Sequence, residues 1–163
     1  MTHNVSAQKF QALDACHLQI YQHLNALSDL LKQLELDSHA ANCREQAKTI
    51  EAFFSGTSRQ HHEDEEKNVF PTLLASTDAE LVHTVKTLQQ DHCWIEQNWL
   101  ELGPMLRGIA QSEDWPDLAE LKHYVAVFVS LCHDHITLEE ALIYPKAKSM
   151  LAQELAERAK RQG

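Results

Sequence analysis

Two stretches of this chain spell one pattern. His61-His62-Glu63-Asp64-Glu65-Glu66-Lys67-Asn68-Val69-Phe70-Pro71 and His135-Ile136-Thr137-Leu138-Glu139-Glu140-Ala141-Leu142-Ile143-Tyr144-Pro145 both read His, three residues, Glu-Glu, three residues, aromatic, Pro, at a constant offset of 74 positions. Upstream, His17 lies 75 positions before His92, and Ile20 lies 75 before Ile95. Similarity at a fixed offset is the mark of a repeated supersecondary unit. The chain therefore reads as two copies of one hairpin, and the hydropathy pattern says that the hairpins are helical.

Apolar residues recur in steps of three and four. Helix 1, from about Ser6 to Leu36, carries Phe10, Leu13, His17, Ile20, Leu24, Leu27, Leu31 and Leu34. Helix 2, from about Ala40 to Leu74, carries Ala47, Ile50, Phe54, His61, Glu65 and then Val69 or Leu73, with Pro71 ending or bending it. Helix 3 opens on a Thr77-x-x-Glu80 capping box, carries Leu81, Val85, Leu88, His92, Ile95, Trp99 and Leu102, and breaks at Gly103-Pro104, with a short turn following to Ile109. Helix 4 starts near Asp114, with Pro116 in its first turn, and carries Leu118, Leu121, Val125, Phe128, Cys132, His135, Glu139 and Leu142, with Pro145 marking its end or a kink. A short amphipathic helix over Met150–Lys160 completes the chain. Strand alternation and Asn-Gly or Asp-Gly turns are absent. The expected fold is an all-α, antiparallel, up-down-up-down four-helix bundle. One domain spans residues 1–163, with the bundle at about 6–147 and the extension at about 148–163.

Charge and targeting signals narrow the class. The net charge of −10 sets the chain against nucleic acid and anionic membranes. Arg158, Lys160 and Arg161 form a short basic cluster that reads as a solvated helix end. The polar start Met1-Thr2-His3-Asn4 is not a secretion signal, and no apolar run approaches the ~20 residues of a membrane span. The expected location is the cytoplasm, as a monomer or weak homo-oligomer. Cys16, Cys43, Cys93 and Cys132 form no C-x-x-C pair and are expected to be free thiols.

The chain has 11 histidines against 14 Lys and Arg, and their positions carry the chemistry. Residues i and i+4 share a helix face, so His61/Glu65 and His135/Glu139 each present an imidazole and a carboxylate on one side. His62/Glu66 has the same spacing, but the second copy has Ile136 where the first has His62, so His61 and Glu65 are the inward pair. His17 and His92 interrupt apolar stripes. Counted along antiparallel helices at ~1.5 Å per residue, all four histidines reach one level. Unpaired charges in a core cost several kcal/mol, whereas two cations would neutralise the carboxylates and take the imidazole lone pairs. Nitrogen and oxygen donors without thiolate suit iron or manganese, with zinc as the other option. The competing readings are a metal-free His–Glu network and a single ion among all six residues; the symmetric hairpins favour two ions.

These motifs resemble the hemerythrin-like (HHE cation-binding) family over roughly residues 6–147. The resemblance implies a non-haem di-iron centre, oxo- or hydroxo-bridged, with Glu65 and Glu139 as bridging carboxylates and His17, His61, His92 and His135 as terminal ligands. It implies small ligands such as dioxygen, nitric oxide or peroxide, and roles in oxygen binding, sensing, nitric oxide handling or iron handling. Oxygen-carrying members have a fifth histidine one turn after that of helix 3, where this chain has Glu96. His62, His133 and His23 are read as facing elsewhere. Tyr21 and Glu96, each four residues after a core histidine, are the expected outer partners or extra ligands. A two-plus-two split of histidines points to redox, nitric oxide or iron-handling chemistry rather than oxygen storage. The alternative is a reversible dioxygen-binding or sensing module.

Overall fold

The computed structural model describes residues 2–36, 41–112 and 115–162. Among them every regular element is helical. Helix α1 runs Thr2–Leu36, α2 Ala41–Ser55, α3 Thr57–Asn68, α4 Phe70–Leu74, α5 Ala79–Gln111 and α6 Leu118–Leu138. A π-helical turn, Glu139–Ile143, then leads straight into α7, Tyr144–Gln162. The expected helix starts at Ala40 and Asp114 lie outside the described residues. No helix among the described residues is long and apolar enough to cross a membrane.

Packing closes a ring: α1 against α2 and α6, and α5 against α2 and α6. The larger apolar cluster, including Leu24, Leu27, Ile50, Phe54, Trp99, Leu102, Val125 and Phe128, fills one end. A smaller one, with Leu13, Val69, Phe70, Leu73, Val85, Leu88, Ile143 and Tyr144, fills the other. His17, His61, Glu65, His92, His135 and Glu139 are also buried and are absent from both clusters. A polar layer thus separates two greasy ones.

Several sequence expectations are corrected. Helix α1 already includes Thr2, and Leu30 rather than Leu31 enters the core. Asp78, not Thr77, caps α5, its carboxylate accepting from Glu80 N and Leu81 N at 3.1 and 3.3 Å. Gly103-Pro104 does not break α5, which continues to Gln111. Pro104 lies on the exposed face with Leu100, so the Leu100 carbonyl that loses its partner can turn to water. The helix ends instead where Ser112 takes a left-handed conformation, φ 55°.

The two prolines of the repeat act differently. Near Pro71 the helix interrupts at Val69, with φ −110° and ψ −53°. Pro145 ends nothing: the π turn precedes it, Tyr144 N bonding back to Glu139 O, and the extension is continuous with α6. The π turn inserts one residue into the helical count. Leu142, expected inside, is therefore 53% exposed, while Ile143 and Tyr144 are buried.

Candidate metal centre

Three of the four imidazoles of the polar layer are held from outside by a carboxylate and aimed inward. His17 Nδ1 meets Glu140 Oε1 at 3.1 Å, and His92 Nδ1 meets Glu66 Oε1 at 2.8 Å. His135 Nδ1 meets Asp91 Oδ2 at 3.4 Å. A carboxylate can only accept, so it draws the ring proton to Nδ1 and leaves the Nε2 lone pair facing in. The Cys16 thiol lies at the His61 ring in the corresponding place.

The second glutamate of each repeat explains itself here. Glu66, of the first hairpin, steadies His92 of the second; Glu140, of the second, steadies His17 of the first. The residue before each helix 1 or helix 3 histidine does the complementary work: Asp91 beside His135, Cys16 beside His61. This is the exchange expected of two like hairpins about a pseudo-twofold axis.

The inward atoms converge. His92 Nε2 and His135 Nε2 are 3.0 Å apart. Glu65 Oε1 lies 3.2 Å from His61 Nε2 and 3.5 Å from His92 Nε2. Glu139 Oε1 lies 2.8 Å from His135 Nε2 and 3.6 Å from His17 Nε2. Each carboxylate so bridges a histidine of its own helix and one of the other hairpin. Donors sharing a cation at bonds of roughly 2.0–2.1 Å sit about 3 Å apart, which is this spacing. Both nitrogens of His61, Glu65 Oε1 and both oxygens of Glu139 are buried without a hydrogen-bond partner. Orphaned buried acceptors of this kind are costly, and a cation satisfies them.

Two groups of donors have metal-binding spacing: His62, Glu65, His92 and His135; and His17, His61, Glu65 and Glu139. Glu65 belongs to both. Sequence reasoning missed His62. It does not face away; its ring stacks on His92, with centroids 4.2 Å apart and planes at 23°. It is one residue, about 100° of helix, past His61, and that turn brings it to the neighbouring α5. The adjacent pair His61-His62 carried the signal, but only the packing of α3 on α5 shows that both can point to the centre. The residues first offered as outer partners make the following contacts. Glu96 pairs with Arg59, Arg59 Nε donating at 3.1 Å, and Tyr21 rests on His133, centroids 5.0 Å apart. Tyr144, which appeared only as the aromatic of the repeat, instead reaches the centre, its hydroxyl 3.1 Å from His17 Nε2 and 2.9 Å from Glu65 Oε2.

Electrostatics match the geometry. Burial alone would raise the Glu65 carboxyl, but close contacts with the imidazoles of His61 and His92 hold it well below the usual range. Burial pulls His61 down, yet contacts with Cys16 and Glu65 push it up to about 9. Burial lowers His17, His62 and His135, aided by neighbouring imidazoles. Burial also raises the Cys132 thiol, leaving it a protonated core group. A cavity of about 1120 Å³ runs from solvent to Cys16 and His61, between α1, α3 and α7.

A buried layer of imidazoles and carboxylates, with the rings of His17, His92 and His135 tethered by their outer nitrogens, is the construction of a cation site. The sequence pattern of the hemerythrin HHE cation binding domain matches residues 8–147. The chain belongs to the hemerythrin HHE cation-binding family. It is similar to an uncharacterized protein of Haemophilus influenzae, 27% identical over 153 residues, which cover 94% of this chain and 87% of that relative. In this HHE domain the two His-x3-Glu motifs and the histidines of α1 and α5 are those that form the polar layer.

Proposed function

We propose that this HHE domain is an up-down-up-down four-helix bundle that holds two iron ions and works in redox, nitric oxide or iron-handling chemistry. The inward aim of the Nε2 atoms around Glu65 Oε1 and the two oxygens of Glu139, all buried without a hydrogen-bond partner, carries the reading, because cations would satisfy these acceptors together. One ion would be held by His62, His92 and His135, the other by His17, His61 and Glu139, with Glu65 common to both. Donors of nitrogen and oxygen favour iron or manganese, then zinc. Iron, when bound, supplies electrons and coordination positions for dioxygen, nitric oxide or peroxide. The protein's own part is to orient the imidazoles through Glu66, Glu140 and Asp91, to exclude bulk water by the flanking apolar layers, and to admit small molecules along the cavity at Cys16 and His61. Cys16 and Tyr144 are oxidisable groups at the centre, which suits turnover better than storage.

Metal analysis with an optical spectrum of the air-exposed protein tests this. About two irons per chain are expected, with oxo-to-iron absorption as in other bridged bundle sites. A preparation of the His61→Ala, Glu65→Ala double variant that keeps its metal would end the reading. His62 favours a second reading, reversible dioxygen binding, because a third imidazole on one ion and two on the other reproduces the unequal split that oxygen carriers use. Optical bands lost on degassing would support it; peroxide or nitric oxide consumed over many cycles would support the first.

A further inference from the structure

The hairpins place equivalent residues at equivalent stations, so departures from the repeat show where the two metal positions differ. His62 supplies a third imidazole at one of them. Its counterpart Ile136 has no donor atom. The aromatic station differs in the complementary sense: Phe70 in the first hairpin, Tyr144 in the second. Phe70 stacks on His92, centroids 5.6 Å apart and planes at 22°. Tyr144 stacks on His17, 5.0 Å and 8°, and adds a hydroxyl. That hydroxyl is buried; Tyr144 is 2% exposed.

With the His17 ring proton on Nδ1, the hydrogen bonding of this hydroxyl does not close without a further partner. The one phenolic proton goes to Glu65 Oε2 at 2.9 Å. With the His17 ring proton directed to Glu140, His17 Nε2 and the phenolic oxygen face each other as lone pairs at 3.1 Å. That is repulsive alone, and it is the separation of two donors on one cation. We propose that Tyr144 is a ligand of the ion at the His17/His61 position, giving an oxygen where His62 gives a nitrogen to the other ion. The inference rests on the two-metal reading above. On ligation the O–H bond breaks, a metal–oxygen bond forms, and the proton leaves by way of Glu65 Oε2, its hydrogen-bond acceptor, to bulk water.

Protein reconstituted with ferric iron and examined by resonance Raman spectroscopy tests the proposal. Phenolate ring modes are expected, shifting when the tyrosines are ring-deuterated. Tyr144→Phe should abolish them in protein that still carries iron, and Tyr21→Phe should not. Phe70 shows that phenylalanine suits this station against an imidazole, so the Tyr144→Phe fold is expected to persist, checked by its thermal transition. Iron-loaded protein lacking tyrosine-sensitive modes, or keeping them in Tyr144→Phe, overturns the proposal and leaves the two-metal centre standing. Protein that takes up no iron overturns both.

Discussion

Glu65 and Glu139 look alike in the repeat but not in the centre. Glu65 belongs to both donor groups and Glu139 to one. Glu65→Ala is therefore expected to abolish binding of both ions, and Glu139→Ala to leave about one per chain, measured by metal analysis after gel filtration. Equal losses from the two would contradict the assignment. The outer carboxylates act on the rings they orient. Glu66→Ala and Glu140→Ala should each weaken metal affinity by about 10- to 100-fold, read by competition with a chelator. Glu96→Ala, which only frees Arg59 on the surface, should leave the affinity unchanged. His61-His62 shows the limit of reading at this scale. The i+4 rule ranks positions on one helix, but a residue 100° away is inward too where a second helix packs on that flank.

At the scale of elements, caps and prolines decided what periodicity could not. Thr77 and Asp78 are both good capping residues, and only the backbone shows which carboxylate or hydroxyl reaches the free N–H groups. Asp78→Ala should cost about 1 kcal/mol in urea denaturation, while Thr77→Ala should be nearly neutral. The reverse order would show that Thr77 caps after all. Proline was read as a stop at Pro104 and a stop or kink at Pro145; neither position ends its helix. Pro104 sits where the orphaned carbonyl meets solvent. Pro145 follows a π turn, and that turn moves the buried stripe from Leu142 to Ile143 and Tyr144. A helical wheel at constant pitch cannot anticipate an inserted residue, and so Tyr144 was placed in the motif but not in the site.

For the whole molecule, the polar layer makes metal and proton competitors. In metal-free protein, His61 has a raised value of about 9 against an ordinary 6.5. Its stabilisation is complete below 6.5 and is lost as pH rises toward 9. His17, His62 and His135 are lowered, so what they contribute is present above 6.5 and is lost as pH falls. Glu65, lowered well below 4.5, adds a further loss in more acid solution. Apo-protein stability is thus expected to peak near pH 6.5, declining on both sides, in urea melts at pH 5, 6.5 and 9. A steady rise from 6.5 to 9 would contradict this. Metal should raise stability most at the alkaline end, because bound ligands must be deprotonated.

The sequence alone determined the helical class, the two-hairpin repeat and the six polar residues that share a buried layer. Each follows from spacing along one helix, which chain order encodes directly. Only the tertiary structure decided that His62 and Tyr144 join the layer, that Glu66, Glu140 and Asp91 steady the rings, and that Glu96 does not. These depend on which helix lies beside which, and on a one-residue π insertion. Contacts between helices arise from packing all side chains at once, so no local pattern carries them.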